Sequence, residues 1–453
     1  MAGAMPVPQT EKNWLERVLS LAADVRPGEA GTTLLLSLNV FLLLAAYYVI
    51  RPIRSALILT GGGAEVQSYS GAIQAGLFLL IVPAYGAFAS KMSRIRLINW
   101  VTLIFFSNLL VFFALGNAGA SPKAVGIAFY LWVGIFNVMV IAQFWSLAND
   151  VYTLEQGKRL FALVGFGASV GAIAGSVVIR TLVRPLGVFV PMLISAGLLL
   201  LCLALGNVIH AREKQRAAGA ARQRADQPLG AEGGFQLVLR HNYFLLIGLL
   251  TVAVQLINTN GNYIRDSTLT RAAKEAVAAG TAGGLDAGQF IAQFHADLDF
   301  FTNVVVVLIQ FFLVSRIFKY LGVDRAVFLL PAIELCGYAA LAFSPALAYI
   351  RIVRIAENGT DYSLQNTLRR ALFLPTSREA KYKALQAVET FFWRAGDMLS
   401  GLATLLLVQV LGLGVRHYAG VNVALAVVAL AVAAGIASEN RKLTARTQAE
   451  AAA

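Results

Sequence analysis

The chain has 453 residues, of which 58% are hydrophobic and only 13% are charged. Soluble proteins carry about 25% charged residues, so too little polar surface remains here to cover a water-soluble particle. The net charge is +13, but no nucleic-acid-binding motif accompanies it, and we expect no nucleic-acid partner.

The segment before the first apolar run, residues 1–29, is polar and helix-periodic, unlike a cleavable signal peptide. Its apolar residues Trp14, Leu15, Val18, Leu19 and Ala22 would share one face of a helix. This pattern predicts an amphipathic helix that lies on the cytoplasmic surface of a membrane.

Six apolar runs follow, each long enough to cross a bilayer as a helix. They predict spans at 32–50, 70–89, 95–115, 125–147, 160–182 and 188–209, which together form an N-terminal bundle at 30–210. Residues 211–240 are charged and rich in small residues, which predicts a cytoplasmic linker.

The second half repeats this plan, with spans predicted at 243–260, 292–314, 326–343, 346–364, 385–411 and 421–436. They form a C-terminal bundle at 241–438, followed by a tail at 439–453. Basic residues concentrate after even-numbered spans, which predicts cytoplasmic termini in a bacterial inner membrane. The predicted fold is an all-α polytopic membrane protein with about twelve transmembrane helices in two six-helix bundles.

Charged residues inside apolar runs are informative because each is unfavourable unless it faces a cavity or a partner. Arg51 and Arg54 share a helix face, and Pro52 between them would loosen the helix. Because the guanidinium fork suits phosphate and carboxylate, we predict that these arginines bind an anionic substrate. They could instead reach the membrane surface or pair with an internal carboxylate.

The tenth predicted span carries Arg351, Arg354, Glu357 and Asp361 on one broad face. Such a set indicates either a ligand site or a bonded structural network, and the sequence leaves both open. Arg369, just beyond, could close the inner end of a pore or could simply follow the positive-inside pattern.

Three further charged residues lie at the junction of the fourth and fifth spans. Asp150, Lys158 and Arg159 could form a gate between helices or a structural salt bridge. In the eighth span, Asp297 and Asp299 are candidates to carry a coupling proton, or could neutralise an arginine.

Other chemistry is not indicated by the sequence. The ladder Gly167, Gly171 and Gly175 predicts close helix packing. The histidines lack metal-ligand spacing, and no nucleophile elbow is present. We therefore expect no metal, no cofactor and no enzymatic activity.

One stretch of sequence resembles the ATP/ADP translocase family of plastids and intracellular bacteria. It comprises FWSLAND (144–150), KRLF (158–161) and GFGAS (165–169). Three more segments resemble the same family, in the same order along the chain. The first is YVIR (48–51), continuing through Leu57, Thr60 and Ala64-Glu65. The others are YSL (362–364), continuing to LP (374–375), and KYK (381–383), which leads into Gly396. The resemblance implies a major-facilitator-like fold with a central cavity between the bundles, and counter-exchange of ATP and ADP.

The resemblance also assigns individual positions. Arg54 stands where the family has a Lys three residues after the first-span Arg, and Asp150 matches the family's acidic residue. Arg265 and Arg369 stand where the family has lysines. A family Glu in the seventh span falls at about Gly261 and is absent here.

These observations favour a secondary transporter that exchanges nucleotides, or another phosphorylated or organic anion, by alternating access. Its anion would be held by Arg51, Arg54, Arg265, Arg354 and Arg369. The alternatives are a proton-coupled carrier or exporter of another solute, and a membrane sensor that transports nothing. Besides the substrate, the expected partner is the lipid bilayer, and we expect a monomer.

Overall fold

The computed structural model describes residues 13–20, 24–89, 93–152, 154–217, 234–376 and 383–452. Most of these residues are helical, and none of them lies in a β-strand. Ala22 and residues 218–233 of the predicted linker fall outside the described residues. The predicted domain boundaries therefore stay predictions.

The first half begins with a short helix, α1 (Trp14–Leu19). Five long helices follow, namely α2 (Ala30–Ala89), α3 (Arg94–Asn117), α4 (Pro122–Val151), α5 (Leu154–Leu186) and α6 (Pro191–Ala217). Helix α2 contains two predicted spans, which are separated at Gly63, where φ is 79°. Glycine tolerates this left-handed conformation, so the chain can break the helix there. Pro52, in contrast, keeps helical backbone angles, and α2 continues through it.

The second half contains a short helix, α7 (Gly234–Arg240), and a series of longer and segmented ones. These are α8 (Asn242–Ala278), α9 (Ala287–Leu308), α10 (Val314–Tyr320), α11 (Val323–Ala326), α12 (Leu329–Phe343), α13 (Leu347–Thr360), α14 (Asn366–Leu372), α15 (Leu385–Ala387), α16 (Trp393–Thr404) and α17 (Val415–Ala452). π-helical segments lie at Ile309–Leu313, Asp361–Gln365, Val388–Phe392 and Leu405–Val410. Such segments occur often at functional sites.

Within the described residues, ten helices are long and apolar enough to cross a membrane. One of them is α2, which Gly63 divides into two spans. The segment from α13 to α14 is also of spanning length, but it is too charged to satisfy an apolar criterion. Counted in this way, the described residues contain twelve segments of spanning length, six in each half, and the predicted multi-pass architecture is confirmed.

The glycine ladder of α5 packs directly on the first part of α2. A Cβ atom on Gly167, Gly171 or Gly175 would stand 2.5, 2.3 or 2.4 Å from a carbonyl oxygen of α2. No side chain fits in this space, so the ladder brings the two backbones together, as predicted.

The two sides of the membrane can be named by the chain segments found there. The side with the starts of α2 and α8 and the end of α17 is called the terminal side. The opposite side, with Gly63 and residues 279–286, is called the distal side. On the terminal side, Asn440 of α17 donates to Asp324 (2.6 Å) and accepts from the hydroxyl of Tyr243 (2.9 Å).

A charged cavity between the two halves

A cavity of about 90 Å³ lies where α2 and α4 of the first half meet α8, α9 and α13 of the second. Four of the five predicted anion-binding arginines line it, namely Arg51, Arg54, Arg265 and Arg354. The space admits only several water molecules, whereas ligand pockets usually measure at least about 300 Å³. The structure is therefore closed around these arginines.

Arg51 forms an ion pair across the boundary between the halves. Its Nη1 atom lies 3.1 Å from Oδ1 of Asp299, which belongs to α9. The guanidinium also lies over the ring of Tyr48, at 5.4 Å from the centroid. Asp299 thus neutralises an arginine, which was one of the two roles that the sequence left open.

Arg54 lines the same cavity without a carboxylate partner. No Asp or Glu of the described residues lies within ion-pair distance of it, and its Nε atom is buried without a hydrogen-bond acceptor. Its guanidinium lies over the ring of Tyr130, 4.7 Å from the centroid, which is a favourable cation–π arrangement. Arg54 therefore adds an unbalanced positive charge to the cavity.

Arg265 is held by its neighbour Asp266 through two short hydrogen bonds of 2.7 and 2.9 Å. Asp266 also accepts a hydrogen bond of 2.6 Å from Gln67 in the first half. Nε2 of His295 is 3.3 Å away from the same carboxylate. The sequence reasoning missed Asp266, although an acidic residue directly after Arg265 in an apolar span was a usable signal.

Arg354 has the most elaborate surroundings of the four arginines, and its side chain is only 1% exposed. Its Nη1 donates to Glu357 at 2.7 Å, and its Nη2 donates to the side-chain oxygens of Asn258 (3.0 Å) and Asn262 (2.8 Å). The bonded network, one of the two alternatives for this cluster, is therefore present. Arg354 also lines the cavity, and its role as a ligand-binding residue stays a prediction.

Gly261 leaves the space that this network occupies. A Cβ atom at position 261 would stand 1.9 Å from the hydroxyl oxygen of Tyr338 and 2.6 Å from Nη1 of Arg354. A Glu side chain cannot fit there in this arrangement. Glu357 supplies a carboxylate at this point instead, and its Oε2 accepts from Tyr338 at 2.8 Å as well as from Arg354.

Arg369, the fifth predicted anion-binding residue, does not line the cavity. It is buried on α14, one of its nitrogens lies 3.9 Å from Asp361, and its guanidinium stacks at 4.7 Å over Trp393. Its position is toward the terminal side, away from the other four arginines.

The predicted gate residues lie on the terminal side of the first half. Arg159 donates to both carboxylate oxygens of Glu29 at 3.0 and 2.8 Å, and it also contacts Asp24. Asp150 is exposed near the end of α4, and the side chain of Lys158 falls outside the described residues. Arg159 thus fastens α5 to the segment that precedes α2.

The charge of Glu29 is stabilised by this contact. Burial by itself would raise the pKa of Glu29. Hydrogen bonds from Arg159, from the backbone N–H of Arg26 and from Gln156, together with the positive charge of Arg159, outweigh burial, so the pKa lies below its ordinary value.

Asp297, the other candidate for a coupling proton, pairs with an arginine of the opposite half. Its Oδ1 lies 2.7 Å from Nε of Arg180 on α5. Both candidate carboxylates on α9, Asp297 and Asp299, therefore have a guanidinium neighbour.

Polar contacts join the two halves from the middle of the membrane to the distal side. Besides the pairs of Arg51 and Arg180, the hydroxyl of Tyr263 donates to Glu65 at 3.3 Å. Farther out, Arg184 donates to the carbonyl oxygen of Gly283 at 2.8 Å. These contacts hold the distal side closed.

Comparison with known proteins finds sequence similarity to ATP/ADP transporters. Residues 127–335 match the family model described as TLC ATP/ADP transporter. The chain is 22% identical over 461 residues to ADP,ATP carrier protein 1 of Chlamydia pneumoniae, an alignment that covers 86% of each protein.

Solved structures support the fold. A bacterial homolog of the human lysosomal transporter Spinster, in an inward-facing and unoccupied conformation, matches with a TM-score of 0.60 at 13% identity, over 92% of this chain and 98% of that one. The nucleoside transporter NupG gives a TM-score of 0.60 at 14% identity, over 90% and 98%. A bacterial homologue of the iron transporter ferroportin gives 0.59 at 15% identity, with the same coverage. The chain therefore resembles the TLC ATP/ADP transporter family over residues 127–335, and it is a secondary membrane transporter with a major-facilitator-like fold.

Proposed function

We propose that this protein exchanges adenine nucleotides, or closely related phosphorylated anions, across a bacterial inner membrane by alternating access. In this proposal the terminal side is the cytoplasmic side, and the functional unit is a monomer. The relative from Chlamydia pneumoniae is named as an ADP,ATP carrier, and the basic cavity fits a substrate of that charge.

The observation that carries the proposal is the missing counter-ion of Arg54. The pairs Arg51–Asp299, Arg265–Asp266 and Arg354–Glu357 each balance their own charge. Arg54 is left over. A guanidinium kept in a membrane-embedded cavity without a carboxylate is unfavourable, and a phosphate group supplies both the charge and the paired acceptors that it lacks.

Arg51 and Arg265 would bind the substrate by giving up their carboxylate partners in favour of a phosphate group. A phosphate oxygen competes with Asp299 for Arg51 and with Asp266 for Arg265. Both of these carboxylates also take part in contacts between the halves. Substrate binding therefore weakens the contacts that keep the distal side closed.

This competition gives a physical reason for exchange rather than net uptake. In the empty carrier, Asp299 and Asp266 occupy the arginines and hold the halves together. With an anion present, the guanidinium charges are compensated without those inter-half contacts. A ligand shifts a conformational equilibrium only through such differential interactions, so the loaded carrier reorients more readily than the empty one.

The basic residues on the terminal side do not hold the substrate in the cavity in this proposal. Arg369 is too far from the cavity to hold the same phosphate, and in this proposal it meets the anion as that anion enters from the terminal side. Arg159, with Asp150 and Lys158, would belong to the gate on that side.

The test is counter-exchange in reconstituted vesicles. Vesicles preloaded with ADP should take up labelled ATP, and empty vesicles should not. Arg54→Ala should abolish this uptake, whereas Arg316→Ala, which removes an exposed arginine of α10, should retain it. Equal uptake by Arg54→Ala and wild-type protein would refute the assignment of Arg54.

The rival, a proton-coupled carrier, gives the opposite result in the same vesicles. It accumulates its solute in empty vesicles when a pH gradient is applied. If no nucleotide or related phosphate exchanges while a pH gradient drives uptake of another solute, the rival replaces the present proposal.

A further inference from the structure

The second half contains a buried carboxylate that neither the cavity nor the inter-half contacts use. Glu334 lies on α12, its residue is 0% exposed, and neither of its carboxylate oxygens has a hydrogen-bond partner among the described residues. Buried carboxylates in proteins are paired, hydrogen-bonded or protonated.

The surroundings of Glu334 add negative rather than positive charge. The charged groups near it are Glu357, Asp361 and Arg354, all on α13 or on the π-helical segment after it. Tyr338, one turn along α12, directs its hydroxyl to Glu357. On the other helix packed against α12, residues 423–438 of α17 contain no titratable side chain.

Counting charges shows what is missing. The cluster contains three carboxylates, those of Glu334, Glu357 and Asp361, and all three are at most 2% exposed. Two guanidiniums accompany them, because Arg354 pairs with Glu357 and Arg369 lies near Asp361. One negative charge remains without a counter-ion. Among the described residues, neither Glu334 nor Asp361 has a hydrogen-bond donor on either oxygen, but Asp361 lies 3.9 Å from Arg369, whereas no guanidinium lies within ion-pair distance of Glu334.

We propose that Glu334 is a proton-binding site, and that Arg354 links its proton to the anion in the central cavity. The step is a simple proton transfer, in which an oxygen of Glu334 takes a proton from water and later returns it to water. No other bond is made or broken. The link to the anion rests on the proposed function, whereas the proton site itself does not.

Arg354 can link the protonation state of Glu334 to the cavity because it belongs to the charged cluster and also lines the cavity. It lines the cavity and is bonded to Glu357 within the cluster. When Glu334 is ionised, the extra negative charge holds Arg354 in the cluster and opposes a second anion in the cavity. When Glu334 carries a proton, Arg354 is freer to face the substrate. Proton and anion therefore favour each other's binding, as linkage requires.

The first experiment detects the proton directly in the full-length protein. A protonated carboxylic acid has a C=O stretch in the infrared spectrum that is separate from that of a carboxylate and shifts in D₂O. At neutral pH, wild-type protein should show this band, Glu334→Gln should lose it, and Glu275→Gln, an exposed glutamate on the same half, should keep it. A band of equal intensity in Glu334→Gln, or no band in wild-type protein, overturns the proposal.

A second variant covers the case in which Glu334→Gln fails to fold. Glu334→Asp retains the acid but moves it by one methylene group. The C=O band should then remain and change its frequency, because its surroundings differ. An unchanged frequency assigns the band to another residue and overturns the proposal.

The second experiment measures the link, with ADP as the probe. The Kd of wild-type protein for ADP should rise as the pH increases through the titration of Glu334, by at most about tenfold per pH unit for a single linked proton. Glu334→Gln should remove this dependence, and Glu275→Gln should retain it. The same pH dependence in Glu334→Gln overturns the link. If wild-type protein binds no nucleotide but shows the infrared band, the proposed function fails while the proton site stands.

Discussion

Arg51 on α2 and Asp299 on α9 form an ion pair of 3.1 Å that connects the two halves of the transporter at the wall of its central cavity. The side chain of Arg51 is 23% exposed and that of Asp299 is 8% exposed, so the pair is largely shielded from water. In the proposed mechanism the same guanidinium serves two partners in turn, Asp299 in the empty carrier and the anionic substrate in the loaded one.

Asp299→Asn should bind ADP more tightly than wild-type protein does. The substitution removes the carboxylate that competes for Arg51, and we expect Kd to fall by about tenfold, which corresponds to roughly 1.4 kcal/mol. Calorimetric titration of the purified protein measures this change. The matched control is Asp297→Asn, which breaks an inter-half pair on the same helix but releases Arg180, a residue outside the cavity.

A double-mutant cycle with Arg51→Ala and Asp299→Ala separates competition from general damage. If the two residues act as a pair, their effects on ADP affinity are strongly non-additive. Additive effects, or an Asp299→Asn variant that binds ADP more weakly than Asp297→Asn does, would contradict the competition described here.

Arg54→Lys should give a transporter with a high KM rather than an inactive one. Lysine keeps the positive charge but loses the planar fork and much of the stacking on Tyr130. We expect KM for ATP in counter-exchange to increase by roughly tenfold, the effect of losing about one charge-assisted hydrogen bond. An unchanged KM would show that the fork of Arg54 does not meet the substrate.

Gly261→Ala should destabilise the protein and reduce transport. The new methyl group would collide with the hydroxyl of Tyr338 and with Arg354, and overpacking of this kind costs about 1–3 kcal/mol. We expect a lower Tm in detergent. The control is Gly197→Ala on α6, where a Cβ meets no atom within 4 Å, and alanine should there be neutral or stabilising by up to about 1 kcal/mol. Equal Tm values for the two variants would show that the space at Gly261 is not filled as described.

The contact between Glu29 and Arg159 should disappear in acid. The pKa of Glu29 is lower in the folded protein, so its contribution to stability is complete above the ordinary pKa and is lost as the pH falls through the folded value. Glu29→Gln should therefore lower Tm at neutral pH, by an amount equivalent to roughly 1 kcal/mol, and should have no effect at a pH well below about 4.

Glu155→Gln is the control for this contact. Glu155 pairs with Arg26 at the surface, where the side chains are 65% and 54% exposed, and such exposed pairs contribute little. A larger loss of Tm in Glu155→Gln than in Glu29→Gln, or an effect of Glu29→Gln that persists in acid, would contradict the prediction.

The number and order of the spans could be predicted from the sequence because a membrane imposes a length and a composition on each helix. One segment, from α13 to α14, does not follow this rule of apolar composition. This segment carries Arg354, Glu357, Asp361 and Arg369, and these charges are buried in two pairs, Arg354 with Glu357 and Arg369 near Asp361. Its membrane position was still predictable from its length and from the spacing of the spans on either side.

The membrane class and the series of about twelve spans could be read from the sequence, since both follow from local composition and helix length. Arg51, Arg54 and Arg354 were found as charges within apolar runs, whereas Arg265 was assigned through the family resemblance.

The pairs Arg51–Asp299 and Arg180–Asp297 became visible only in the tertiary structure, because their members lie on different helices. The pairs Arg265–Asp266 and Arg354–Glu357, in contrast, lie within one helix. The tertiary structure also showed that Arg54 has no carboxylate partner among the described residues, that Arg369 does not line the cavity, and that Glu334 is buried near Glu357 and Asp361. Charge balance depends on which side chains are close in three dimensions, and this cannot be read from their order in the sequence.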